Sequence, residues 1–78
     1  MQKHVKVYLN AFNLTTADII LCESCGAQAV DIHHIVFRSH GGTDTIENLI
    51  ATCRKCHTKA HSNKEFNNSL KNIVSSRK

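Results

Sequence analysis

Tryptophan is absent from this chain of 78 residues, and aromatic residues make up only 5% of it: Tyr8, Phe12, Phe37 and Phe66. A chain so short and so poor in large side chains buries too little apolar surface to hold one fold unaided. A covalent or metal crosslink is therefore expected. Long hydrophobic runs are missing too. Asp18-Ile19-Ile20-Leu21 is far too brief for a membrane span or for the apolar region of a signal peptide. The expected compartment is a reducing cytoplasm, where thiols persist and disulfides are rare. Acid is scarce in the second half: residues 51–78 hold seven Lys or Arg against Glu65 alone, net +6. Residues 1–50 hold three against five acids, net −2. A basic half suits a phosphodiester ligand, although a solvated helix face with a basic tail has the same composition.

Cysteine supplies the crosslink. Cys22-Glu23-Ser24-Cys25-Gly26 and Cys53-Arg54-Lys55-Cys56 repeat one spacing. Two residues between thiols let a tight turn aim both sulfurs at one tetrahedral ion. A single such pair also fits a redox couple, but two matched pairs point to a closed structural Zn²⁺ site formed by Cys22, Cys25, Cys53 and Cys56. Four thiolates leave no open coordination position, so the ion is structural and not catalytic.

Between and after the pairs lie the polar residues that carry chemistry. Ala29 to Phe37 is apolar and β-branched enough for a strand, and alternation puts Asp31 and His33 on one face and His34 with Ile32 on the other. Arg38 to Asp44, with Gly41-Gly42, reads as a loop. Asn48 to Thr52 reads as a second strand pairing with the first. The loop is long for a hairpin and needs a pin, for which the amide of Asn48, able to bond backbone on both sides, is the candidate. A helix is expected after Cys56. There His57 and His61, four apart, stack two imidazoles on one face within reach of one ion. Ser62 to Glu65 has capping-box form, and Phe66, Leu70, Ile73 and Val74 mark the apolar stripe of a further helix, as core packing or as a contact for another copy. Ser75 to Lys78 should fray.

Residues 1–21 carry no recognisable chemistry. Residues 1–12 fit a strand or a helix, with the helix, ending near Asn13, the reading adopted. Thr15 or Thr16 caps a turn around Asp18, Ile19 to Leu21 are expected as buried contacts, and His4 is expected at the surface.

The order CxxC, Asp-x-His-His-Ile, Gly-Gly loop, Asn-Leu and CxxCHxxxH, from Cys22 to His61, resembles HNH homing-type endonucleases with the ββα-metal fold, in their four-cysteine form. The resemblance implies that His34 is the general base that activates water and that Asn48 holds the loop and so orients it. It implies that His33, His57 and His61 ligate a catalytic divalent metal, as in the three-histidine colicin nucleases. Many relatives bind Mg²⁺, whereas three imidazoles favour Zn²⁺, Ni²⁺ or Mn²⁺. Asp31 is either a further ligand or the partner of an imidazole N–H. The ion would offset charge on a non-bridging and the leaving oxygen, giving 5′-phosphate and 3′-hydroxyl ends. Arg54, Lys55 and Lys59, with Arg38 on the loop and His40 more weakly, are candidates for contacts to double-stranded DNA.

The expected architecture is thus a small α+β domain over residues 1–78. A ββα-metal core at 22–61 carries a structural zinc site, an arm at 1–21 precedes it, and a helix with a basic tail follows at 62–78. The expected activity is DNA nicking of low sequence specificity, with a homodimer or partner protein for targeting. The resemblance also brings a phage setting, where short stand-alone versions are common. The alternatives are a non-catalytic zinc module that binds nucleic acid and an interaction domain using the Phe66-Leu70-Ile73 stripe.

Overall fold

The computed structural model describes residues 2–77. Lys3–Ala11 forms helix α1, Asp31–His34 strand β1, Leu49–Thr52 strand β2, Arg54–Ser62 helix α2 and Lys64–Ser75 helix α3. The protein is a small α+β domain. Its two strands pair antiparallel, with Asp31 opposite Thr52 and His34 opposite Leu49.

Alternation along β2 explains the layering. Leu49 and Ala51 join Tyr8, Ile20 and Ile32 on the α1 side of the sheet. Ile50 joins Ile35, Ala60 and Leu70 on the opposite side, under α2 and α3. Both faces of β2 are therefore covered, and all four of its residues are buried. Leu70 is fully buried, with Phe66, Ile73 and Val74 packed around the same cluster. Each such aliphatic side chain contributes about 1.5–3 kcal/mol. The apolar stripe of the last helix is core, which removes the basis for an interaction domain built on it.

Several local expectations are met. The helical reading of the first segment holds, with α1 ending at Ala11 and Asn13 following its cap at φ +55°. The backbone N–H of Thr15 donates to Asp18 Oδ2 at 2.7 Å and so closes the turn that follows. Others shift. β1 is four residues long and not nine, because beyond Ile35 the backbone of Val36 bonds to the Asn48 side chain and not to a strand. Helix α2 begins at Arg54, ahead of Cys56, with Cys53 as its N-cap. Asn63 and not Ser62 caps α3, its Oδ1 accepting from the Phe66 N–H at 3.0 Å.

Three expectations are overturned. Ile19 is 73% exposed and Leu21 58%, and only Ile20 of that run joins a core cluster. An isolated bridge between Leu21 and Gln28 holds the segment at the edge of the first cysteine knuckle, the Cys22 to Gly26 turn, where alternate residues face solvent. His4 is no free surface residue, since its ring lies 4.5 Å from that of His34. The tail does not fray at Arg77, whose guanidinium donates to Glu23 Oε2 at 2.6 Å and Oε1 at 3.0 Å. It also donates to the carbonyls of Ile46 at 2.9 Å and Leu49 at 2.6 Å. Lys78 lies outside the described residues.

Candidate metal centres and cleft

The four cysteines converge. Cys22 and Cys25 come from the first knuckle, and Cys53 and Cys56 from the N-terminus of α2, with one sulfur of each within 4.8 Å of every other. Cys25 Sγ and Cys53 Sγ stand 3.6 Å apart, and all four thiols are free. Tetrahedral Zn–S bonds of about 2.3 Å place sulfurs roughly 3.8 Å apart, so the donor set and spacing fit a structural zinc site. The electrostatics agree. Burial resists ionisation of Cys22, but backbone N–H groups of Cys25, Cys53 and Ser24 outweigh it and bring the thiol down to about 6. Burial and then the neighbouring sulfurs push Cys56 up to about 12. Four crowded thiols cannot all ionise by themselves, and a divalent cation among them removes that conflict.

A second convergence involves histidines. His33 on β1 and His57 and His61 on α2 bring one ring nitrogen each within 4.8 Å of one another. The Nε2 atoms of His57 and His61 are 3.1 Å apart, close to the roughly 3.3 Å set by two Zn–N bonds of about 2.05 Å. In two of the three rings the other nitrogen is held. Asp31 Oδ2 lies 3.1 Å from His57 Nδ1, so Asp31 stands behind an imidazole N–H and leaves the Nε2 lone pair forward.

Asn67 does the same for His33. Its Nδ2 donates to the Ile35 carbonyl at 2.8 Å, which fixes the amide and turns Oδ1 towards His33. His33 Nε2–H then donates to that oxygen at 2.7 Å, and the lone pair is left on Nδ1. Burial, with the neighbouring imidazoles, outweighs the opposing Asn67 bond and keeps His33 below its ordinary pKa. Asn67 lies six residues beyond the last histidine, outside the motif, and the sequence carries no signal for it.

His34 takes the other face of β1, as alternation requires. Its Nε2 donates to Asp44 Oδ1 at 2.7 Å. The tautomer that follows leaves Nδ1 with a lone pair, and the His34 bond holds the Asp44 carboxyl below its usual range. His4, His34 and Asp44 form a further group of close ligand-type atoms. Asp44 and His4 are contacts that the sequence reading missed. Asn48 sits where the loop needs it. Its Oδ1 accepts from the Val36 N–H at 2.7 Å, and its Nδ2 donates to the carbonyls of Val36 at 3.1 Å and Thr43 at 2.9 Å. That amide ties the Gly41-Gly42 loop to the end of β1.

Although His33 and His34 point to opposite faces, β1 ends at His34, and a cavity of 370 Å³ at that end is lined by both. Phe37, Arg38, Ser39 and His61 complete its wall. Of the candidate DNA contacts, Arg38 thus borders the cleft. Arg54 shares the helical face of His57 and His61, whereas Lys55 and Lys59 are turned well over 100° from it by the 3.6-residue period. Lys59 Nζ rests 4.6 Å above the Phe66 ring. Among the described residues, no helix is long and apolar enough to cross a membrane.

Comparison with known proteins adds to this geometry. The family profile described as HNH endonuclease matches residues 21–63. The chain is 35% identical over 54 residues to the type IV methyl-directed restriction enzyme EcoKMcrA of Escherichia coli K12, an alignment covering 56% of this chain and 20% of that protein. It is 32% identical over 59 residues to anaredoxin of Nostoc sp. PCC 7120, covering 76% of each. No solved structure matches significantly.

Proposed function

From the premise that this chain belongs to the HNH endonuclease family, we propose that it is a metal-dependent DNA endonuclease whose base is His34. The observation that carries the reading is the shared cleft, lined by His33, His61 and His34 together. His33, His57 and His61 would hold the divalent ion, and their imidazole set favours Zn²⁺, Ni²⁺ or Mn²⁺ over Mg²⁺. Bound there, it supplies Lewis-acid stabilisation of charge on the phosphate and the leaving oxygen. His34 accepts the proton of the attacking water through its free nitrogen, while Asp44 holds the ring and stabilises the imidazolium that forms. Asn48 fixes the loop that carries Asp44. Asp31 and Asn67 orient the ligand rings.

Arg38 and Arg54 are the best placed of the earlier cations to meet backbone phosphates of duplex DNA. One such site per chain cuts one strand at a time, so the product is a nick unless a second copy or a targeting partner joins it.

The test is metal content per chain beside a supercoiled-plasmid assay, with and without Mn²⁺, Ni²⁺, Zn²⁺ or Mg²⁺. Tight zinc and metal-stimulated nicking are expected. His34→Ala should lower the nicking rate by about 100-fold or more while keeping fold and DNA binding. Undiminished cleavage by that variant would refute the assignment of the base. Intact plasmid under every metal would favour a zinc-stabilised nucleic-acid-binding module instead.

A further inference from the structure

A cavity of 460 Å³ larger than the cleft lies beside it, between α3, the end of α2 and the turn that follows β1. Phe37 and His61 line both cavities, so the two are direct neighbours. The wall from α3 consists of Lys64, Asn67, Asn68 and Lys71. These are positions i, i+3, i+4 and i+7, a single face of the helix. It is distinct from the buried stripe of Phe66, Leu70, Ile73 and Val74, and both lysines are exposed.

Where this face lies is fixed by Asn67, which touches the His33 ring and the Ile35 carbonyl. Lys64 and Lys71 thus stand about one turn to either side of a residue in contact with the metal centre. No Asp or Glu lines the cavity. Of the nearby carboxylates, Asp31 is engaged at His57 and Asp44 at His34, while Glu47 lines a separate cavity on the other side of Lys71 and Glu65 follows Lys64 on the exposed side of α3. Ammonium and amide donors without a carboxylate fit an anionic oxygen, and two cations along one helix face fit anions in a row. At 1.5 Å per residue the two lysines are separated by about 10 Å of helix, the axial rise of roughly three nucleotides on one strand.

We propose that the Lys64–Asn68–Lys71 face of α3 is a backbone-phosphate track for the DNA strand flanking the scissile bond. The inference rests on the nuclease reading and extends it to a part of the chain outside the matched motif. It makes α3 bifunctional, with one stripe closing the core and the next guiding the substrate.

The test uses the full chain in a His34→Ala background, so that binding is read without hydrolysis. The affinity for a short duplex is measured by fluorescence anisotropy between about 50 and 200 mM salt, a range over which phosphate contacts show clearly. Lys64→Gln with Lys71→Gln should lower the slope of log affinity against log salt by about 1.8, or about 0.9 for each lost contact. Lys64→Arg with Lys71→Arg should restore it. Lys6→Gln, an equally exposed charge on α1, should leave the slope unchanged. Zinc content and melting temperature report that each variant is folded. A double Gln variant that matches Lys6→Gln while the duplex still binds overturns the track and leaves the nuclease standing. Failure of the parent to bind duplex, with no plasmid cleavage by the wild type, overturns the nuclease reading itself.

Discussion

At Asn48 one amide makes three hydrogen bonds to backbone, accepting from Val36 and donating to Val36 and Thr43. It is buried, so none of the three groups has water as a ready substitute. Asn48→Asp keeps the acceptor but sets a carboxylate against two carbonyl oxygens. We expect a loss of about 2–3 kcal/mol, seen as a melting temperature lower by roughly 10 °C or more, together with lost cleavage. A variant with unchanged melting would show that the loop is held by other contacts. The neighbouring Gly42 explains why the pin must be tight: a Cβ there would lie 1.8 Å from the Val36 carbonyl oxygen. The loop backbone runs directly against the end of β1.

At the scale of the element, α3 does more than cover the sheet. Its Asn67 reaches across to the end of β1, where its Oδ1 meets His33 Nε2 and its Nδ2 donates to the Ile35 carbonyl. Asn67→Leu preserves volume and removes both bonds. A calorimetric titration of the zinc-loaded protein with Ni²⁺ or Mn²⁺ should then show about 10–100-fold weaker binding, with the cysteine zinc still in place. Asn67→Asp, which can still accept from His33, should recover most of the affinity. Equal affinity in the Leu variant would mean that β1 and α2 alone fix the ring. Helix α2 shows the same division of labour along one short element. Its N-cap Cys53 and first-turn Cys56 belong to the cysteine cluster and its last turn carries His61, so one helix sets the distance between the cysteine and histidine clusters.

Across the whole molecule, Arg77 ties the two ends of the chain together. Its guanidinium joins Glu23 in the knuckle, the carbonyls of Ile46 and Leu49, and lies 5.8 Å above the Tyr8 ring of α1. Tyr8 donates to the same carboxylate at 2.6 Å. Removing the cation leaves a largely buried carboxylate and two carbonyls without their donor. Arg77→Ala should therefore cost about 3 kcal/mol, or roughly 10–20 °C in a thermal melt. Burial resists ionisation of Glu23, yet the bonds from Arg77 and Tyr8 prevail and hold its carboxyl below the ordinary 4.5. The stabilisation is full above that pH and is lost as acid protonates the group. Melts of wild type and Arg77→Ala should accordingly draw together below about pH 4.5. A gap that stays constant with pH would assign the effect to packing of the side chain and not to the ion pair.

The local geometry of this protein was legible in its sequence because it depends on spacing. Matched CxxC pairs, histidines four apart on a helix and adjacent histidines on a strand have geometric consequences that hold before any tertiary contact forms. So does an asparagine at the start of a strand whose preceding loop is too long to close alone. Tertiary structure decided what depends on distant segments meeting. Asn67 is 34 residues from His33, Arg77 is 54 from Glu23, and Asp44 reaches His34 over a ten-residue loop. No period or motif links such pairs. They arise because α3 folds back over the sheet and because the Asn48 amide fixes the loop. The same folding left Ile19 and Leu21 in solvent although their composition reads as core. A hydrophobic residue is buried only where a neighbouring element arrives to cover it, and that arrival is a property of the whole chain.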